Sequence, residues 1–290
     1  MSECPRDCAD LGRDIIQDHH SSSVYHTVYQ SRLPDELIQS TPIVKSMTNS
    51  LVGVKALVFD VFGTVFDWHT NVTKTLAAHA RPESSLTHSQ WALFAHKWRQ
   101  GIFVYRHAAV ERGKYFSPET IYLRTLEQLV NTEDVNEGWD EAKMKLVCEA
   151  WKEQTPWEDT LAGMESLKAK FIVAALSNGS AKDLITMNRA SGVNWDYILT
   201  SDLINAMKPS PESYKTAIRL LGLKPEEIAM VAAHEYDLEA AKSHGMKTVY
   251  IDRETEDTLV DKSTLKGRFD LFIGSGGLQQ LAKQLEDQSG

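Results

Sequence analysis

From Phe171 onward, short apolar runs alternate with stretches of helical character, and this alternation limits the folds open to the chain. Phe171-Ile-Val-Ala-Ala-Leu176 reads as a strand and is followed by a helix near Lys182–Ala190. Residues 197–200, 228–233, 248–251 and 271–273 give further strands, with helices expected at Pro211–Leu221 and Asp237–His244. Strands that alternate with helices predict a doubly wound α/β fold with a parallel sheet. One strand stands apart from the others. In Lys55-Ala-Leu-Val-Phe-Asp60, four apolar residues precede an aspartate, as in a parallel strand buried on both faces. The intervening residues read helical: Trp91, Phe94, Trp98, Ile102 and Tyr105 recur every three or four positions, as do Tyr122, Leu126 and Leu129, and Met144, Val147 and Trp151. The expected organisation is therefore a discontinuous Rossmann-like core at 51–68 and 156–290, with a helical cap inserted at 69–155.

The chain has 290 residues, enough for one or two domains and for a core that needs neither metal nor disulfide. Residues 1–50 are polar and weakly periodic, and read as an extension that is partly ordered at best or packs as a short helix on the body. Forty acidic and 31 basic residues leave a net charge of −9 with no basic run, which argues against nucleic acid as a partner. Cys4, Cys8 and Cys148 form neither a disulfide framework nor a zinc spacing. The N-terminus lacks a signal-peptide core, and no stretch is long and apolar enough for a membrane span. The expectation is a cytoplasmic protein with no membrane association.

In an open α/β sheet, ligands bind beyond the carboxyl ends of the strands. Asp60 and Gly63-Thr64 follow the first strand, and Ser177-Asn178-Gly179-Ser180 the second. Lys208-Pro209 lies beyond the third, and His234 and Asp237 follow the fourth. Each has an ordinary reading alone. Asp60 could form a turn, and Gly179 could supply a positive φ. Lys208 could be solvated, His234 half-buried and satisfied, and Asp237 an N-cap. Together, and in this order, they point to one pocket.

Asp60-Val-Phe-Gly-Thr64, Leu176-Ser-Asn-Gly-Ser180, Lys208-Pro-Ser-Pro-Glu-Ser-Tyr214 and Ala232-Ala-His-Glu-Tyr-Asp237 resemble, in order, the four motifs of the haloacid dehalogenase superfamily. The resemblance runs from about Val54 to the C-terminal helix and includes the cap after the first strand. Phosphatases of the superfamily carry a second aspartate two residues after the nucleophile, where this chain has Phe62. They also hold magnesium with acids of the fourth motif, where Glu235 and Asp237 are the only ones here. Leu176-Ser-Asn-Gly-Ser180, the Lys208-to-Tyr214 spacing and Lys97-Trp-Arg-Gln100 resemble instead the type II (S)-2-haloacid dehalogenases, which use no metal or other cofactor.

That resemblance implies a role for each residue. Asp60 displaces the halide and forms an ester. Asp237 activates the water that hydrolyses it, and Lys208 holds both carboxylates. Arg99 meets the departing halide; apart from the resemblance it reads as part of a solvated helix face. The backbone near Phe62, with Ser177 and Asn178, binds the substrate carboxylate. Phe116 and Tyr236 wall the halide site, and Tyr214 belongs to the third motif. Three positions depart from the pattern: Phe62 replaces a tyrosine, Ala232 a serine and His234 an asparagine. A histidine can be a charged donor and suits a small leaving group such as fluoride. The implied partner is a small haloacid, and the implied assembly a homodimer. The alternatives are a hydrolase of the same superfamily acting on a phosphate monoester or a metabolic intermediate, and an inactive scaffold. Gly274-Ser-Gly-Gly277 matches no nucleotide fingerprint and reads as the lead-in to a last helix.

Overall fold

The computed structural model describes residues 51–80, 86–133, 135 and 138–287. The extension expected at 1–50, with Cys4 and Cys8, lies outside them. In chain order the elements are β1 (Ala56–Phe59), β2 (Phe66–Asp67), α1 (Trp68–Ala78), α2 (His88–Glu111), α3 (Pro118–Thr132), α4 (Glu141–Cys148), β3 (Thr155–Pro156), α5 (Thr160–Lys168), β4 (Ile172–Ser177), α6 (Ala181–Ser191), β5 (Tyr197–Thr200), α7 (Ser201–Ile204), α8 (Pro211–Leu221), β6 (Ile228–Ala232), α9 (Glu235–Ser243), β7 (Lys247–Ile251), β8 (Leu271–Ile273) and α10 (Gly277–Asp287).

All four residues of β1 are fully buried, as expected for a strand covered on both faces. It pairs in parallel with β4 on one edge and β6 on the other, Phe59 lying opposite both Ala175 and Val231. The six-stranded order is β5-β4-β1-β6-β7-β8, and every pair is parallel. The chain winds outward from β1 through β4 to β5, then returns to lay β6 on the other side. Strand order therefore reverses at β1, and the crevice beyond its carboxyl end is where such a sheet binds ligands.

Helices α1 to α4 lie between β2 and β3. These two short strands form an antiparallel ladder, Phe66 opposite Pro156 and Asp67 opposite Thr155, that joins the two ends of the helical insert. The insert is fastened to the sheet by aromatic packing. Trp151 stacks on Trp68 and Tyr122, at 5.6 and 5.2 Å between ring centres, and meets Trp98 and Phe62 edge-on. Helix α2 starts with a capping box in which Thr87 N donates to Gln90 Oε1 (2.8 Å) and Gln90 N to Thr87 Oγ1 (3.3 Å). Its buried stripe contains Trp91, Phe94, Trp98, Ile102 and Tyr105, and also Arg99 and Arg106.

Three local readings change. Arg99 is only 5% exposed, not part of a solvated face. Helix α9 begins at Glu235, so Asp237 lies within its first turn and His234 occupies the N-cap position without a capping bond. Gly179 is not among the positive-φ glycines. A side chain there would meet the Phe62 ring at 2.7 Å, so the glycine serves close approach. Helix α5, which buries Thr160, Gly163, Met164 and Leu167, and the small ladder are additions to the elements expected from the sequence. Among the described residues no helix is long and apolar enough to cross a membrane.

Candidate active site

Asp60 follows β1 directly, and its amide donates to Val231 O of β6 (3.0 Å), which fixes the carboxylate at the strand-order reversal. Its oxygens are occupied unequally among the described residues. Oδ1 accepts from Lys208 Nζ at 2.8 Å; Oδ2 accepts from Thr64 Oγ1 at 2.8 Å and lies 3.0 Å from His234 Nδ1. Thr64 is itself held by Ala233 N, which donates to its hydroxyl at 2.9 Å. Burial alone would raise the Asp60 pKa, but Lys208 and His234 outweigh it and hold the carboxyl well below the usual range.

The Lys208 ammonium also donates to Asp237 Oδ2, while Tyr214 OH donates to Asp237 Oδ1 at 2.6 Å. Asp237 is fully buried, and that burial, with Asp60 nearby, keeps its carboxyl above the ordinary range. Two carboxylates that share one ammonium are thus pushed in opposite directions, one toward its ionised form and the other toward its neutral form.

Asn178, expected at the substrate carboxylate, is bonded to the Lys208 backbone. Its Nδ2 donates to Lys208 O (3.0 Å), and its Oδ1 accepts from Lys208 N (2.7 Å). The carboxamide therefore positions the lysine. Ser177 Oγ accepts from Gly179 N at 3.0 Å and sets the turn after β4.

Arg99 reaches down from α2 to donate to the Phe62 carbonyl at 3.0 Å. Its guanidinium lies 4.6 Å from the ring centre of Phe103, and its Nε is buried with no hydrogen-bond partner among the described residues. Tyr236 stands beside His234 and Phe103, each 5.6 Å away between ring centres. Phe116 packs on Tyr105 instead, so Phe103 is the ring that faces Arg99, His234 and Tyr236. Phe103 lies one helical turn after Arg99, next to the expected stripe of Trp98, Ile102 and Tyr105 but not part of it.

His234 was expected to face the halide. Its two ring nitrogens are instead taken by Asp60 and by Glu256, whose Oε2 lies 2.6 Å from Nε2. Burial opposes charge on the ring, yet the flanking carboxylates raise its pKa to about 10. Glu256 has no place in the four motifs. It lies in the loop after β7, is 3% exposed, and accepts from Trp68 Nε1 as well. Burial favours its neutral form, but His234, Arg99 and Trp68 bring its pKa down to about 2. Gly63, at φ +91°, makes room for it, since a side chain there would collide with the Glu256 carboxylate. The loop follows the carboxyl end of β7, as Asp60 and His234 follow those of β1 and β6.

Comparison with known proteins now bears on the family. Residues 54–245 match the family model of haloacid dehalogenase-like hydrolases. (S)-2-haloacid dehalogenase 4A of Burkholderia cepacia is 30% identical over 207 residues, covering 69% of this chain and 84% of that protein. The solved structure of the L-2-haloacid dehalogenase PA0810 superposes with a TM-score of 0.70 at 32% identity, over 81% of this chain and 99% of the other. That of the defluorinating L-2-haloacid dehalogenase Rha0230 gives 0.71 at 30% identity, over 80% and 95%. The chain belongs to the haloacid dehalogenase-like hydrolases and is an enzyme of that family.

Proposed function

We propose that this enzyme hydrolyses short (S)-2-haloacids, and the achiral fluoroacetate, to 2-hydroxy acids through an ester formed on Asp60. The observation that carries this reading is the Asp60 carboxylate. It is buried, kept ionised by two cationic side chains, and left with an open lone pair on Oδ1. A carboxylate has about four acceptor positions, two per oxygen. Thr64 and His234 fill those of Oδ2, whereas Lys208 fills one of Oδ1. Oδ1 therefore attacks the halogen-bearing carbon and the halide departs with the bonding pair.

The inserted helices act as a cap over this centre. Through α2 they supply Arg99, whose unpartnered Nε–H is the donor for the departing halide, and the wall formed by Phe103. A charge-assisted donor suits fluoride, a strong hydrogen-bond acceptor. Water then attacks the ester carbonyl and passes a proton to Asp237. No metal is needed, because Lys208 and His234 provide the positive charge beside Asp60.

The test is halide release measured by ion chromatography in EDTA, with (S)- and (R)-2-chloropropionate, bromoacetate and fluoroacetate. Release from the S enantiomer that disappears in Asp60→Asn is the expected result. No halide from any substrate overturns the reading.

A further inference from the structure

We propose that Glu256, acting through His234, completes an oxyanion hole for hydrolysis of the Asp60 ester. This rests on the reading of Asp60 Oδ1 as the nucleophile. Once Oδ1 is alkylated, Oδ2 becomes the ester carbonyl oxygen. It already lies 2.8 Å from the Thr64 hydroxyl and 3.0 Å from His234 Nδ1. Water adds to Cγ, its proton goes to Asp237, and the carbonyl π pair moves onto Oδ2. The oxyanion is held by the Thr64 O–H and the His234 Nδ1–H. Collapse re-forms the C=O bond and breaks Cγ–Oδ1, and the departing alkoxide takes the proton from Asp237. Asp60 then loses its own proton to water. Preorganised donors aimed at a developing oxyanion are among the largest contributions to such a step.

Glu256 is needed because of a change in charge during turnover. In the free enzyme two carboxylates keep the imidazole protonated, Asp60 on Nδ1 and Glu256 on Nε2. Ester formation removes the charge of Asp60 just before the oxyanion forms. Glu256 is the carboxylate still bonded to the ring at that moment. The groups that face His234 are Asp60 at the end of β1, Glu256 and Asp257 in the loop after β7, Arg99 on α2 and the Tyr236 phenol. Lys208 and Asp237 lie beyond Asp60. Arg99, 4.0 Å from Glu256, opposes a second positive charge, which makes the Glu256 carboxylate more necessary. Glu256 does not touch the reacting atoms and is a positioning residue.

The experiment uses the full chain with (S)-2-chloropropionate and follows the chloride burst by rapid quench and the covalent adduct by intact-protein mass. In Glu256→Gln we expect a burst of about one chloride per site at the wild-type rate, accumulation of the Asp60 adduct, and kcat lowered roughly 10- to 100-fold. The deficit should grow as pH rises, because the buried imidazole of the ester intermediate, beside Arg99 and bonded to no carboxylate, gives up its proton more readily than in wild type. His234→Asn, which keeps a neutral donor, should also accumulate adduct, without the pH dependence. It decides the matter if circular dichroism shows Glu256→Gln unfolded. Unchanged steady-state turnover, or a burst slowed as much as kcat with no adduct, overturns the proposal. Chloride release by Asp60→Asn at the wild-type rate would instead overturn the underlying assignment of the nucleophile.

Discussion

Asn178 and Lys208 exchange two hydrogen bonds, carboxamide to backbone, at 2.7 and 3.0 Å, so an amide after β4 sets the position of an ammonium 30 residues away. Asn178→Ala removes both and leaves a buried donor and acceptor of the Lys208 peptide unsatisfied, at a cost of about 1–3 kcal/mol for each such group. Urea unfolding should show the loss, and kcat should fall because Lys208 no longer has a fixed place between Asp60 and Asp237.

Arg99 makes its carbonyl bond with one nitrogen while its guanidinium carbon lies 4.6 Å from the Phe103 ring centre. Lysine cannot reproduce a planar fork stacked on a ring. Arg99→Lys should lower kcat about 100-fold, a loss of the size seen for one electrostatic donor, with a larger deficit for fluoroacetate than for bromoacetate. Parallel rate measurements on the two substrates check this.

The His234 pKa is raised in the folded protein from 6.5 to about 10. Its stabilising contribution is therefore complete below about pH 6.5, and is lost as pH rises from there through about 10. Comparing the midpoint of thermal unfolding in wild type and His234→Asn across pH 6–10 should show a steeper alkaline decline in wild type. Glu256, lowered from 4.5 to about 2, works in the other direction. Its contribution is complete above about pH 4.5 and is lost as pH falls toward 2, a limb that should flatten in Glu256→Gln.

Chelation separates this chemistry from that of a metal-dependent phosphatase. With Lys208 and His234 supplying the charge at Asp60, extensive dialysis against EDTA should leave halide release unchanged, and added magnesium should not raise it. Loss on chelation with recovery on magnesium would favour a phosphate monoester as substrate.

The sheet was legible because its strands are buried on both faces and so appear as uninterrupted apolar runs; Ala56–Phe59 and Ile228–Ala232 are examples. Asp60, Lys208, His234 and Asp237 were legible because each follows a strand in a fixed order. Glu256 was not. Its loop, Arg253-Glu-Thr-Glu-Asp257, reads as a solvated acidic turn, and only three-dimensional packing against His234 and Trp68 turns one of those acids inward. The bonds from Asn178 to Lys208 were not legible, because hydrogen bonding to a backbone 30 residues distant leaves no trace in spacing. Phe103 and Phe116 are both aromatic residues of the insert. Phe103 lies on α2 and Phe116 in the connection after it, and where that connection packs is not given by periodicity.

The antiparallel contact of Phe66–Asp67 with Thr155–Pro156 means that the chain leaves the sheet and returns to it at neighbouring points. The ends of the insert are thus held together whatever lies between them, and lengthening it would add only slowly to the entropy of closing that loop. Arg99 and Phe103 come from within that insert, so a change in its helices that moved α2 would reach the charge beside Asp60 as well as the aromatic wall around it.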